Sequence, residues 1–173
     1  MSSSTDSRKS PAKVTFSHLT QNNIGVVRKL NSVLFPVKYA EKYYKDILAL
    51  EVEEFCQLVY YNDIPVGNFT CRLESESKGR TSLYLMTMGI LAPYRSRGVG
   101  SQVMKKLLDS VTQSQSPKID RIYLHVQISN TAGRAFYERH GFREAGLHKD
   151  YYKKIQPRDA WILEKVFADS STS

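Results

Sequence analysis

Cysteine is almost missing from this chain: Cys56 and Cys71 are the only two among 173 residues. Two cysteines cannot make a disulfide framework. They form no C-x-x-C pair either, and both read as buried strand residues in preference to a nucleophile or a metal ligand. No apolar run approaches the roughly 18 to 20 residues of a membrane span. The polar start Met1-Ser2-Ser3-Ser4-Thr5-Asp6 has no hydrophobic signal-peptide core, so a soluble protein of the cytoplasm is expected, with the nucleus as a second compartment. Neither G-x-x-x-x-G-K-[ST] nor a dinucleotide G-x-G-x-x-G occurs, which weakens nucleotide hydrolysis and hydride transfer as functions. Acidic side chains are the scarcer sign: 17 stand against 25 basic ones, for a net charge of +8. Such a surface attracts polyanions, whether a phosphorylated cofactor, RNA or a ribosome, without choosing among them.

What is present fits one domain, since a chain of this length buries one good core and is short for two. Residues 12–167 carry the apolar patterning. The Ser-rich stretch 1–11 and residues 168–173 read as disordered tails. A short strand near Val14 to Leu19 precedes a helix lined by Ile24, Val27, Leu30 and Leu34, which must stop before Pro36. A second helix is expected from Glu41 to Leu50. Phe55 to Tyr61 and Pro65 to Leu73 flank Asn62-Asp63, a hairpin signal. Glu74 to Arg80 reads as a charged loop. The strand around Leu83 to Met88 is apolar on both faces, with Leu83 and Leu85 on one and Tyr84, Met86 and Met88 on the other, as a strand covered from both sides would be. Beyond it come a helix, a strand at Ile122 to Val126, a short helix at Asn130 to His140, and strands at Phe142 to Leu147 and Ala160 to Val166. Hairpin first, alternation later: the pattern is a mixed-sheet α/β fold.

The richest stretch runs from Tyr84 to Ser101. An apolar strand meets a glycine-bearing turn, and the turn opens a helix with Val99, Val103, Met104, Leu107, Leu108 and Val111 at helical spacing. First-turn N–H groups have no intrahelical partner, and the helix dipole is positive there, so this is the geometry of an anion site. Gly98 and Gly100 allow a tight turn and a close approach, and Arg95 and Arg97 add permanent charge. A lone G-x-G more often marks an ordinary turn; here the strand, the helix and the arginines favour the anion. Further on, His125 stands near the end of an inner strand. By itself that is more often a packed core histidine than a catalyst.

Arg95-x-x-Gly98-x-Gly100 resembles the acetyl-CoA pyrophosphate loop of the GNAT acyltransferases. Asn130-Thr131-Ala132-Gly133-Arg134-Ala135-Phe136-Tyr137-Glu138-Arg139-His140-Gly141-Phe142 resembles their second cofactor segment. Four further stretches, Leu34 to Tyr39, Leu83 to Thr87, Tyr123 to Asn130 and Tyr151 to Pro157, are similar to the NatE-type N-terminal acetyltransferases, and the similarity runs from about Val14 to Phe167. The resemblance implies a single-domain GNAT fold with a mixed central sheet flanked by helices. It implies acetyl-CoA as cosubstrate, no metal, and direct acetyl transfer to the α-amine of nascent chains that retain the initiator Met. Acetyl-CoA would lie along Met88, Gly89 and Ile90 and over Arg95, Ser96, Arg97, Gly98, Val99, Gly100 and Ser101, with Asn130 and Tyr137 at the pantetheine arm and the thiol. Tyr84 and His125 would be the base pair, acting through water, and Tyr137 the acid. Phe35, Pro36, Val37, Tyr39, Met86, Tyr151, Tyr152 and Ile155 would form the peptide mouth.

Implied partners are nascent polypeptide N-termini, NatA-type auxiliary and catalytic subunits and, indirectly, the ribosome, with no membrane and no sequence-specific nucleic acid. Two other functions use the same fold: a lysine ε-acetyltransferase, and a catalytically weak scaffold subunit of a NatA/NatE assembly. Trp161 departs from the pattern, which has something smaller or more polar there, and stands for core packing or for a partner contact.

Overall fold

The computed structural model describes residues 11–167, so the two expected tails, Pro11 apart, lie outside the described residues. Seven strands form one mixed sheet in the order β1-β2-β3-β4-β5-β7-β6. They are β1 (Val14–His18), β2 (Gln57–Tyr61), β3 (Ile64–Ser75), β4 (Thr81–Ile90), β5 (Arg121–Gln127), β6 (Arg143–His148) and β7 (Ala160–Val166). The β4–β5 pair is parallel and every other pair antiparallel. The helices are α1 (Ile24–Leu34), α2 (Glu41–Asp46), α3 (Val99–Gln113) and α4 (Thr131–Arg139). Among the described residues no helix is long and apolar enough to cross a membrane.

Local chemistry accounts for most boundaries. Asn62 and Asp63 take φ of 47° and 65°, the left-handed pair that a two-residue hairpin requires, and Tyr61 pairs with Ile64 across them. Helix α1 ends at Leu34, and Phe35 turns extended before Pro36. The helix expected to reach Leu50 stops at Asp46 instead. Ala49 is extended, and a separate 3-10 turn covers Leu50–Phe55. The buried residues Tyr44 and Ile47 lie before the break and Val52 and Phe55 after it, and no Gly or Pro marks it.

Strand β4 departs from simple alternation. Tyr84 pairs with Arg72 and Leu85 with Cys71, but Thr87 pairs with Thr70, so Met86 is an extra residue opposite no partner. This bulge puts Tyr84 and Thr87 on one face, and Met88 on the face of Leu85. The sequence expectation that Tyr84, Met86 and Met88 share a face is therefore corrected. On the other side, β4 and β5 pair only from Ser82↔Arg121 to Tyr84↔Tyr123, although β4 runs to Ile90 and β5 to Gln127. Among the described residues no ladder pair joins them further on, and the two strands leave a cleft with Tyr84 and Tyr123 at its closed end.

A buried polar cluster supports the face beside that cleft. Asn68 donates to Asn31 at 2.8 Å, Thr87 donates to Asn68 at 2.9 Å, and the Thr70 and Thr87 hydroxyls meet at 2.6 Å. Tyr43 reaches Thr70 at 2.9 Å. Each bond is worth about 1 kcal/mol net, and each buried group left alone would cost about 1–3 kcal/mol. The cluster thereby ties α1 and α2 to the bulged strand in one arrangement.

Candidate active site

Three sequence segments line the cleft, beginning at the Tyr84 end. Tyr84 on β4 and His125 on β5 point the same way because their strands are parallel and in register, and the Tyr84 hydroxyl lies 2.8 Å from His125 Nδ1. Tyr151, from the loop between β6 and β7, stacks on the His125 ring at 4.0 Å and 6° and places its hydroxyl 2.8 Å from that of Tyr84. That loop is pinned at several points: Tyr152 N donates to Arg158 O at 2.9 Å, Asp150 N to Asp159 Oδ1 at 2.9 Å, and Gln127 Nε2 to Pro157 O at 2.8 Å. The third segment is the proline-bearing loop after α1. Phe35 packs over Gly89 and edge-on to Tyr39, which stacks on Tyr43 at 4.5 Å. Burial raises the Tyr39 phenol above its ordinary range. Val37 is exposed on this proline-bearing loop, and Ile155 on the Tyr151 loop is half-buried.

Protonation follows from burial. His125 is pushed down to about 4, chiefly by desolvation and then by His148, with Glu74 opposing. It is a neutral base throughout the physiological range. Tyr84 is pushed far up by desolvation and by its hydrogen bond to Tyr151, so it remains a phenol. Behind the pair, Tyr123 donates to Glu74, and Arg72 holds Glu74 at 2.8 Å while lying 4.9 Å over the Tyr84 ring. Both cysteines are buried, and burial raises Cys56 to about 12 and Cys71 well above its usual value, so neither is a thiolate at neutral pH.

The cleft's other end is the turn before α3. Gly98 is the N-cap with φ of 76°, left-handed, and no side chain caps this helix. Its first N–H groups are free to bind an anion. Arg95 Nε donates to Ile90 O at 2.8 Å, which fixes the turn to the strand end, and Arg97 leans on Tyr61, 3.4 Å from its hydroxyl. Ser96 takes φ of 59°. Gly100 has a packing role: an added Cβ would stand 3.3 Å from the Phe136 ring of α4. Ser101 Oγ meets His140 Nε2 at 3.2 Å. Asn130 caps α4 by accepting from Gly133 N at 2.9 Å, leaving its Nδ2 as the group free for a ligand. Tyr137 on α4 is half-buried against Phe142 and Phe136, and desolvation raises its phenol, with Cys71 next in effect.

Comparison with known proteins gives this arrangement its context. Residues 25–142 match the acetyltransferase (GNAT) family model. The chain belongs to the GNAT acetyltransferase family. Among curated relatives of this GNAT chain, N-alpha-acetyltransferase 50 of Danio rerio is 42% identical over 153 residues, covering 88% of each chain. The probable N-acetyltransferase san of Drosophila melanogaster is 39% identical over 155 residues, 90% of this chain and 82% of its own. Arabidopsis thaliana Naa50, solved in complex with the bisubstrate analogue CoA-Ac-MVNAL, superposes with a TM-score of 0.80 at 41% identity, covering 89% of this chain and 99% of that one. As a GNAT acetyltransferase the chain uses acetyl-CoA as its acyl donor, and the uncapped α3 N-terminus with Gly98 left-handed is a fitting cradle for a pyrophosphate.

Of the residues singled out from sequence, the structure brings Tyr84, His125 and Tyr151 into contact, sets Phe35 over Gly89, and places Gly98, Gly100 and Ser101 at the start of α3, with Gly100 and Ser101 against Phe136 and His140. Sequence reading missed others: Arg72, Glu74 and Tyr123 behind the base pair, Asp159 and Gln127 anchoring the aromatic loop, and His148, whose Nδ1 lies 3.1 Å from His125 Nε2. Tyr123 and Gln127 lie within the Tyr123 to Asn130 stretch without a role having been read for them, and the others belong to no motif. Alternation alone offered a signal for Tyr123, two residues before His125 on the same strand face. Trp161 is half-buried in β7 between Val126 and Leu147, with Arg134 of α4 stacked 4.8 Å over its ring. It is a packing residue of the sheet.

Proposed function

We propose that the chain acetylates the α-amine of protein N-termini that retain the initiator methionine. The observation that carries this reading is the contact of Tyr151 with both members of the Tyr84–His125 pair, with a second aromatic loop packed over Gly89 of the same strand. Together they offer an aromatic mouth. It suits a methionine side chain on a flexible chain end and disfavours a lysine within a folded surface. The peptide of the analogue bound to the Arabidopsis relative also opens with Met.

Acetyl-CoA supplies an activated acyl group and a thiolate leaving group; the protein's task is to position and to move protons. An α-amine with a pKa near 8 is substantially protonated at pH 7 and must lose a proton before it attacks. Tyr84 receives that proton through a water and passes its own to His125 Nδ1. Backbone N–H groups of β4 near Met88, on the strand edge that β5 leaves unpaired, polarise the thioester oxygen. Tyr137 is assigned the leaving sulfur. Because burial makes it a weaker acid than a thiol, it donates a hydrogen bond there and keeps its proton. No nucleophilic side chain is needed.

The net charge of +8 supports work beside an anionic ribosome with NatA-type subunits, and the two unpaired thiols suit the reducing cytoplasm and nucleus. A panel of peptides differing only in the first residue tests the substrate reading. Met-initiated peptides should exceed Ser- or Ala-initiated ones in kcat/KM by roughly 10-fold or more, the worth of burying a methionine side chain. Equal values would remove the aromatic mouth as the selector.

A further inference from the structure

The proton that reaches His125 needs a way out. His125 is half-buried beneath Tyr151, and both of its ring nitrogens are engaged: Nδ1 lies 2.8 Å from the Tyr84 hydroxyl, and Nε2 lies 3.1 Å from Nδ1 of His148. His148 is exposed at the end of β6, its ring 5.2 Å from His125 and 5.0 Å from Tyr151. Tyr151, Tyr84, His125 and His148 thus form one continuous chain of hydrogen-bonding atoms from the acceptor site to solvent. We propose that His148 is the outlet of a proton relay that carries the α-ammonium proton from the Tyr84–His125 pair to bulk water.

The step balances as follows. The ammonium gives one proton, through water, to the Tyr84 oxygen as the Tyr84 hydroxyl proton moves to His125 Nδ1. The His125 Nε2 proton moves to His148 Nδ1, and the His148 Nε2 proton leaves to water. One proton has entered the chain and one has left it. The two rings end in the opposite tautomers and exchange with water before the next turnover. The neutral amine then forms the C–N bond as the C–S bond breaks, and its second proton ends on the CoA sulfur. Concerted transfer avoids a charged ring inside the site, in keeping with the desolvation that opposes protonation of His125. The charged and titratable groups around the relay are Glu74 and Arg72 of β3, Tyr84 of β4, Tyr123 of β5 and Tyr151. None of them lies on the solvent side of His148 in any contact described for it.

This inference rests on the reading of Tyr84 and His125 as the base path, and its test separates the two. Single-turnover acetylation of a Met-initiated peptide by enzyme preloaded with acetyl-CoA is measured in dilute buffer for wild type, His148→Ala and His125→Ala, with and without added imidazole. His148→Ala should be slowed by roughly 5- to 10-fold, the low end of a general-base contribution, and imidazole should restore the rate saturably. A structural role would not respond to imidazole. A wild-type rate for His148→Ala beside a slow His125→Ala overturns the relay alone, as does a slow His148→Ala rate that imidazole leaves unchanged. A wild-type rate for His125→Ala overturns the base reading and the relay together.

Discussion

Replacing His125 by alanine is expected to lower kcat by about 10²- to 10⁴-fold, the range of a positioned general base, while the dissociation constant for acetyl-CoA stays within about 2-fold because the anion turn is built from other residues. The substitution removes a half-buried ring that Tyr151 stacks on, so a rate loss alone is ambiguous. The pH profile resolves it. His125 lies at about 4, lowered first by desolvation and next by His148, while Glu74 opposes from β3 and the rings of Tyr84, Tyr123 and Tyr151 pack around it. A depressed conjugate acid means that the base form is fully present above about pH 5 and is lost only as pH falls through about 4. Wild-type kcat/KM should therefore climb about 10-fold per pH unit up to the α-amine pKa near 8 and then level. An additional inflexion between about pH 6 and 7 that disappears in His125→Ala would show that His125 titrates as a free histidine does, and would contradict the desolvated site.

Changing Gly98 to valine is expected to weaken acetyl-CoA binding by at least about 10-fold, since a β-branched residue cannot hold the left-handed conformation without a cost of about 1–2 kcal/mol or more. The reason is backbone alone: Gly98 has φ of 76°, and nothing lies within 4 Å of an added Cβ. If the turn relaxes out of the left-handed region, the first N–H groups of α3 no longer converge on one anion. Gly98→Asn is the informative partner, because asparagine tolerates this conformation better than other residues with a Cβ. Titration of each variant with acetyl-CoA by calorimetry should place Asn between glycine and valine. Equal losses for both would shift the cause to occupied space, and an unchanged affinity in Gly98→Val would remove the pyrophosphate from this turn.

Whatever was written in local backbone chemistry was legible in the sequence. Asn62-Asp63 specified a hairpin because few residue pairs accept two positive φ values in succession, and Gly98 specified the turn for the same reason. Pro36 stopped α1 through the conformation it imposes on Phe35. Of the site residues legible through resemblance, Tyr84, His125 and Tyr151 come together in space, while Tyr137 packs against Phe136 and Phe142 of its own segment.

Features settled by long-range contacts were not. The bulge at Met86 leaves no mark on β4 itself; it arises from the register with β3 and reverses the facing of every residue after it. The end of α2 at Asp46 has no Gly or Pro to mark it. His148 was invisible because it lies 23 residues from His125, and its role exists only once β6 and β5 sit on either side of β7. Asn31 and Asn68 were read past as ordinary helix and strand residues, yet they join α1 to β3.

The most direct test of the account offers the enzyme and labelled acetyl-CoA two peptides. One has a free Met-Leu N-terminus, and the other is blocked at its N-terminus and carries internal lysines; mass spectrometry then locates the acetyl group. The account predicts acetyl on the free α-amine of the first peptide, abolished by Tyr84→Phe together with His125→Ala, and little on the second. Acetyl-lysine as the dominant product would contradict the aromatic mouth as a selector for chain ends. Tight acetyl-CoA binding without transfer to either peptide would contradict catalysis by this site altogether.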